Sequence, residues 1–136
     1  MAPLRFRAWH PTEKRMIYPK HGDLLCVNDH GEIEYWFGGT TKCNIQWSTG
    51  LEDKNGKEIF EGDILRLEYP AYKEGILIFP LPPDHPVKTT IGKMEWNSGY
   101  GGFAFKSKDD IELLPKAVMK FAEVIGNIYE NPDLLS

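Results

Sequence analysis

The sequence predicts a mainly β protein, and three observations lead to that prediction. Apolar and polar residues alternate with a period of two along several short segments, as in strands that bury one face. Turn-forming residues, mostly Gly, Pro, Asn and Asp, separate these segments at short intervals. The stretch 109–120 has a helical spacing of apolar residues, but Pro115 interrupts it, so it predicts a short turn or helix at best.

The first predicted strand covers residues 4–9. Apolar residues occupy its even positions, while Arg5, Arg7 and Trp9 occupy its odd positions. Because successive side chains of a strand point to opposite faces, these three residues are predicted to point away from the core. They form the best candidate for a basic and aromatic binding face. The alternative is a solvated outer face with a tryptophan packed under a loop.

Alternation predicts a further strand at 42–47, and apolar runs with flanking turn residues predict strands at 15–18, 23–27, 32–37, 64–67, 90–96, 102–106 and 121–129. The turn that precedes the strand at 32–37 contains Gly31, which we expect at a positive φ. A short closing helix is predicted over 131–135, because Asn131 suits the cap and Pro132 suits the first turn.

The stretch "LEDKNGKEIFEGDILRL", residues 51–67, combines acidic residues with glycines and raises the question of a catalytic or metal-binding loop. Asn55 and Gly56 tolerate the left-handed backbone region, so they predict a tight turn. Gly62 predicts a sharp corner or bulge before the next strand, where Asp63 is expected to accept hydrogen bonds from backbone N–H groups. The stretch is therefore predicted to be a structural hairpin and corner.

The segment from about 69 to 90 is the least regular part of the chain. Its four prolines at positions 80, 82, 83 and 86 predict a long, stiff loop. The sequence contains no other linker and no low-complexity tract, so residues 1–136 are predicted to form a single domain with this loop inside it.

The composition is that of a soluble globular protein, with 41% hydrophobic and 26% charged residues. Its apolar runs are too short to cross a bilayer, and arginines occupy the place where a signal peptide needs apolar residues. The expected location is therefore the cytoplasm, without a membrane partner. The net charge of −4 argues against a dedicated non-specific nucleic-acid binder.

Three segments resemble a known family. "LRFRAW" (4–9), "TGLEDKNGKEIFEGDIL" (49–65) and "EVIGNIYENPDLL" (123–135) are similar, in this order, to segments of the YopX-like family of phage and prophage proteins. The resemblance implies a small SH3-like, partly open barrel with extra hairpins and a short C-terminal helix. It also implies an origin in a phage or prophage and a bacterial host cell. It brings no accepted catalytic residues.

Metal sites are rejected on spacing. A calcium loop starting at Asp53 would need Gly at its sixth and Glu at its twelfth position, but Gly56 is fourth and Ile64 is twelfth. Four possible zinc ligands lack the paired spacing of zinc sites: His21, Cys26, His30 and Cys43. The sequence also shows no nucleophile elbow, no activated cysteine and no phosphate-binding loop, so no catalytic residue, metal or cofactor is predicted.

The leading hypothesis is a non-enzymatic accessory protein that binds an unidentified macromolecule, a protein rather than a nucleic acid. The alternative is weak nucleic-acid binding through the face formed by Arg5, Arg7 and Trp9. A remote alternative is an enzyme whose site is assembled from residues distant in sequence. Open strand edges could also pair two copies of the chain, so a homo-oligomer is compatible with the prediction.

Overall fold

The structure is a computed structural model that describes residues 5–19, 24–38, 41–70, 87–108, 110–114 and 116–135. These segments form eleven β-strands and two short 3₁₀ helices, which confirms the prediction of a mainly β protein. The strands belong to two antiparallel sheets, and within the described segments neither sheet closes into a barrel. Most of the predicted proline-rich loop, residues 71–86, lies outside the described residues, as do Leu4 and His21.

The first sheet contains six strands, which are β1 Phe6–His10, β2 Arg15–Ile17, β3 Leu24–Val27, β4 Ile33–Phe37, β5 Thr41–Glu52 and β6 Glu58–Phe60. Their order is β2-β1-β5-β4-β3, and β6 pairs with β5. The long strand β5 pairs with β1 and β4 along its first part and with β6 from Ser48 to Glu52. Strands β2 and β3 are therefore the two opposite edges of this sheet.

The second sheet contains five strands, which are β7 Asp63–Pro70, β8 Val87–Asn97, β9 Gly102–Ser107, β10 Ile111–Glu112 and β11 Ala122–Asn127. Their order is β10-β9-β8-β7-β11, so β10 and β11 are its edges. A register shift between Val124 and Gly126 marks a bulge in β11. Because bulges bend the strand that carries them, β11 changes direction just before the C-terminal turn.

Each sheet has its own buried apolar cluster. The cluster of the first sheet contains Ala8, Ile17, Tyr35 and Cys43. The larger cluster of the second sheet contains Ile59, Leu65, Leu67, Met94, Phe105, Met119 and Ala122. Since Ile59 lies in β6, the hairpin formed by β5 and β6 of the first sheet packs into the core of the second sheet. Burial of this apolar surface is the main term that holds the sheets together.

Two predicted elements differ in detail from the structure. The stretch 109–120, predicted as a short turn or helix, contains the strand β10 and most of a 3₁₀ helix, Lys116–Phe121. The closing helix is a single 3₁₀ turn, Pro132–Leu135, and is mostly exposed. Neither helix is long enough or apolar enough to span a membrane, and the described segments contain no other helix.

Candidate functional site

The structure does not form the exposed face that the sequence predicts for the first strand. Arg7 is only 3% exposed and Trp9 only 8%, although Arg5 is accessible. Arg5 pairs with Glu58, with Nη2 at 3.0 Å from Oε1. The prediction that all three side chains point to solvent is therefore wrong for Arg7 and Trp9, because both faces of β1 are covered.

Arg7 lies at the centre of a buried polar network. Its Nε donates a hydrogen bond to Gln46 Oε1 at 2.7 Å, and its Nη2 donates to Asp63 Oδ1 at 2.6 Å. The guanidinium carbon lies 4.8 Å from the centre of the Phe60 ring, a cation–π distance. Arg7 thus joins β1 and β5 of the first sheet to the first residue of the second sheet.

Asp63 uses both carboxylate oxygens in this network. Oδ1 accepts from Arg7, and Oδ2 accepts from the backbone N–H of Phe60 at 2.8 Å. Burial raises the pKa of the Asp63 carboxyl, and the positive charge of Arg7 and the Phe60 hydrogen bond oppose that effect only in part. The pair consists of two desolvated charges that depend on each other.

Gly62 makes the corner between the sheets. Its φ is +87°, its N–H donates to Met94 O at 2.7 Å, and its carbonyl accepts from the backbone N–H of Ile128 at 2.9 Å. A Cβ at this position would overlap the side-chain amide of Gln46. Only glycine satisfies both the positive φ and the close approach. We call Arg7, Gln46, Gly62 and Asp63 the sheet junction.

The structure places Asn55 and Gly56 in a turn, with Gly56 at φ +79°. Asp53 organises this turn, since its Oδ1 accepts hydrogen bonds from the backbone N–H groups of Asn55 and Lys57, both at 2.9 Å. Its Oδ2 accepts from the backbone N–H of Val124 in β11, also at 2.9 Å. Burial alone would raise the pKa of Asp53, but these three hydrogen bonds outweigh it, so the pKa lies below its ordinary value.

The C-terminal turn is held by asparagine side chains. Asn127 Oδ1 accepts from the backbone N–H groups of Tyr129 at 3.0 Å and Glu130 at 2.9 Å. Asn131 Oδ1 accepts from the N–H of Asn127 at 3.2 Å, and a Cβ at Gly126 would lie 2.5 Å from that same oxygen. These bonds fix the turn that follows the bulge of β11.

A cavity of about 260 Å³ opens between the edges of the two sheets, beside the sheet junction. One wall comes from the first sheet through Met16 and Tyr18, and the other from β11 and the C-terminal turn. Its floor contains Arg7 and Asp63, and Lys57 reaches its rim. We call this space the Arg7 cavity. Its lining is mainly polar because the ion pair and the asparagine turn border it.

A contrasting surface lies at the opposite edge of the first sheet. Leu25 is 50% exposed, Val27 67% and Ile33 46%, and in the register of β3 and β4 Val27 stands opposite Ile33. Leu25 stands opposite Tyr35, which is buried in the core of the first sheet. Leu25, Val27 and Ile33 therefore lie on the same face of the sheet as the core, but outside the region that the core covers. No strand of the described segments pairs with the outer side of β3. We call Leu25, Val27 and Ile33 the β3 edge.

Comparison with known proteins identifies the family. A family model described as YopX protein matches residues 5–136. This chain belongs to the YopX family. It is similar to protein EF1440 from Enterococcus faecalis, a crystal structure with 27% sequence identity, a TM-score of 0.61 and coverage of 100% of both chains. Protein yopX from Bacillus subtilis shares the fold at 18% identity, with a TM-score of 0.55 over 97% of this chain and 98% of that one. No curated protein matches this chain.

The three segments that resemble the YopX family meet at the sheet junction. Arg7 of the first segment pairs with Asp63 of the second. Gly62 of the second binds Ile128 of the third. Trp9 of the first stacks on Tyr129 of the third, with ring centres 5.1 Å apart and planes 9° from parallel. These segments therefore have a shared structural task, which sequence spacing did not reveal because the contacting residues are far apart in the chain.

The candidate metal ligands do not converge in the segments that the structure describes. No group of three or more His, Cys, Asp or Glu residues there has the arrangement of a metal site. Cys43 is buried in the core of the first sheet, and Cys26 is partly buried in β3. His30 is exposed in the turn after β3.

Proposed function

We propose that this YopX-family chain is a non-enzymatic protein-binding module that is encoded by a phage or prophage and acts in the cytoplasm of a bacterial host. We further propose that its two sheets correspond to a partly open SH3-like barrel with added hairpins. Family membership and the two-sheet architecture support this reading. The observation that carries the binding role is the apolar, unpaired β3 edge.

The backbone of β3 is suited to strand addition. The hairpin closes with a hydrogen bond from Asn28 N–H to Glu32 O at 2.8 Å. In antiparallel strands, hydrogen-bonded pairs alternate with non-hydrogen-bonded pairs. Since Asn28 and Glu32 form a hydrogen-bonded pair, Val27 and Leu25 belong to non-hydrogen-bonded pairs, and their N–H and C=O groups point away from β4. A strand of a partner protein could satisfy these groups while its side chains cover the exposed apolar surface.

The sequence of β3, LLCV, contains no residue that would prevent another strand from pairing with this edge. Natural proteins commonly blunt a free edge with lysine, proline, a bulge or a covering element. Strand β3 contains no charged residue and no proline. An exposed apolar strand of this kind is typical of a surface that a protein partner covers.

A nucleic-acid partner has weaker support. Of the basic residues near the N-terminus, Arg7 is buried against Asp63, Arg5 pairs with Glu58, and Arg15 pairs with Glu13 at 3.0 Å. Phosphate binding needs accessible positive charges. The ion pair between Arg7 and Asp63 joins the two sheets, which supports a structural role for this pair instead of a catalytic one.

The experiment is affinity purification from a lysate of the bacterium that carries the gene, using the parent chain and the variant Val27→Lys. We expect mass spectrometry to identify a protein that the parent retains and that Val27→Lys loses, because a lysine places a charge in the covered apolar contact. The matched control is Leu113→Lys, since Leu113 is 51% exposed and lies outside the first sheet. It should retain the partner.

Equal recovery with Val27→Lys and the parent would show that the β3 edge is not the binding surface. Sedimentation of the purified chain distinguishes a foreign partner from a second copy of this chain. Turnover of a substrate by the purified chain would overturn the non-enzymatic role.

A further inference from the structure

We propose that the Arg7 cavity binds a carboxylate group. This inference does not rest on the proposed function, because the cavity borders β1 and β2 whereas the β3 edge lies at the other side of the first sheet. A ligand at one surface leaves the other accessible.

The first argument is the unused hydrogen-bonding capacity of Arg7. Its side chain is only 4% exposed, and a guanidinium carries five N–H donors. Among the described residues only two of these donors have partners, Gln46 on Nε and Asp63 on Nη2. Nη1 has no hydrogen-bond partner among the described residues, and Arg7 lines the cavity.

The second argument is the balance of donors and acceptors around the cavity. Both oxygens of Asp63 are occupied, and Glu130 accepts a bond from the Asn127 side chain at 3.0 Å. Two further groups of the lining have no hydrogen-bond partner within the described segments: the Asn131 amide nitrogen, which is a donor, and the Tyr18 hydroxyl, which donates or accepts. A ligand that accepts hydrogen bonds therefore complements Arg7 Nη1 and the Asn131 amide.

The third argument concerns charge. The lining holds two positive groups, Arg7 and Lys57, and two carboxylates, Asp63 and Glu130. Asp63 pairs with Arg7, whereas Lys57 at the rim has no carboxylate within ion-pair distance in the described part of the chain and acts on Asp53 and Asp63 only over a longer distance. A carboxylate would give Lys57 a direct ion-pair partner and would present two coplanar oxygens that fit a guanidinium edge. Water is partly excluded at this depth, so a charge-assisted hydrogen bond to Arg7 is stronger than it would be on the surface.

The size of the cavity limits the ligand. At about 260 Å³ it holds one small group, such as acetate or the end of a glutamate side chain, and not a whole peptide. A carboxylate of a partner protein and a free small carboxylic acid share this chemistry. For a fragment of this size we expect a dissociation constant of roughly 1–10 mM.

The test is an NMR titration of the full chain with sodium acetate at constant ionic strength. We expect saturable shifts of the Arg7 Nε–H signal and of the backbone amides of Gly126 and Asn127, which line the cavity. Acetamide has the same shape without the charge and should produce no saturable shift. Equal shifts with acetamide or sodium chloride would overturn the proposal.

Variants at the rim keep the test independent of folding. Lys57→Glu should weaken acetate binding about three- to tenfold, because it replaces an attractive exposed charge with a repulsive one. Lys108→Glu makes the same change at an exposed position outside the cavity and should leave the affinity unchanged. If both variants weaken binding equally, the effect is one of net charge and the cavity is not the site.

The source of the carboxylate is resolved by a second titration. An amidated, acetylated peptide with one internal glutamate is compared with acetate and with the matching glutamine peptide. Tighter binding of the glutamate peptide than of acetate indicates a protein side chain, while equal affinities indicate a free small acid. If the glutamine peptide binds as tightly as the glutamate peptide, the carboxylate is not what the cavity recognises.

Discussion

The sheet junction and the β3 edge belong largely to the same six-stranded sheet, yet they invert the usual distribution of side chains. At the junction, Arg7 and Asp63 are charged and almost fully buried. At the edge, Leu25 and Val27 are apolar and at least half exposed. Buried charges and exposed apolar strands are the two deviations from ordinary burial that carry information about a protein.

The sheet junction and the β3 edge also differ in what the loss of a side chain would do. Each group of the junction has a partner in a distant part of the chain, so removing one leaves another buried without compensation. The side chains of the β3 edge have exposed surfaces, and their removal leaves no buried group unsatisfied. The junction therefore determines how the two sheets are joined, whereas the edge is open to change without loss of the fold.

The largest expected effect comes from breaking the ion pair of the junction. Arg7→Met leaves Asp63 buried without its cation, and we expect a loss of about 3–5 kcal/mol in the free energy of unfolding. Urea denaturation at neutral pH measures it. The double variant Arg7→Met with Asp63→Leu removes both charges, so it should be less destabilised than Arg7→Met alone. It should not recover fully, because the N–H of Phe60 loses its acceptor.

A contrary result is easily recognised. If Arg7→Met unfolds at the same urea concentration as the parent, the junction does not hold the sheets together, and its difference from the β3 edge disappears. If the double variant is less stable than the single one, the bond between Asp63 and Phe60 matters more than the ion pair.

Local residue type predicted the turns of the molecule well. Asn55 and Gly56 tolerate a left-handed backbone, and Gly56, Gly62 and Gly31 all have positive φ values in the structure. Most strands were also predicted from alternation, apolar runs and flanking turn residues, but β10 lies in a stretch that was predicted as a turn or helix. These features depend on neighbours in sequence, so sequence reasoning reaches them.

The sheet junction could not be predicted in this way. The alternation of the first strand placed Arg7 outside, but a second set of elements covers that face, and its partner Asp63 lies 56 positions away. Glu58 binds both Arg5 and the Ser48 hydroxyl, two residues outside the stretch 51–67 that contains it. Pairings of this kind come from the tertiary fold and leave no periodic signal.

The second prediction tests the corner at Gly62 against a matched glycine. Gly62→Val and Gly56→Val both force a β-branched residue to a positive φ, at +87° and +79°, which costs on the order of 1–3 kcal/mol in each case. A Cβ at Gly62 also overlaps Gln46, whereas at Gly56 the nearest atom is 4.0 Å away. We therefore expect a lower melting temperature for Gly62→Val than for Gly56→Val.

Equal melting temperatures for the two variants would mean that backbone strain alone decides the effect and that Gln46 moves aside freely. If Gly62→Val melted like the parent, the corner would tolerate a side chain. The junction would then be no more constrained than an ordinary turn.

The smallest expected effect concerns Asp53, which ties the Asn55–Gly56 turn to β11. Asp53→Asn keeps the shape of the side chain but has only one acceptor oxygen, so it cannot accept both the bonds from Asn55 and Lys57 and the bond from Val124. We expect a loss of about 1.5–3 kcal/mol at pH 7, the range for a hydrogen bond to a charged acceptor. Asp29→Asn, at an exposed turn position, is the control and should cost much less.

The loss should also depend on pH, with a sign that follows from the lowered pKa of Asp53 in the folded chain. A carboxyl whose pKa is lowered by folding stabilises the protein fully above its unfolded pKa, about 4, and loses that contribution as the pH falls through the folded pKa. Both chains retain Asp63, so its opposite shift cancels in the comparison. The difference in stability between the parent and Asp53→Asn should therefore shrink between pH 5 and pH 3, a range of about two units around that pKa. A difference that stays constant in urea denaturation over this range would show that the geometry of Asp53 matters and its charge does not.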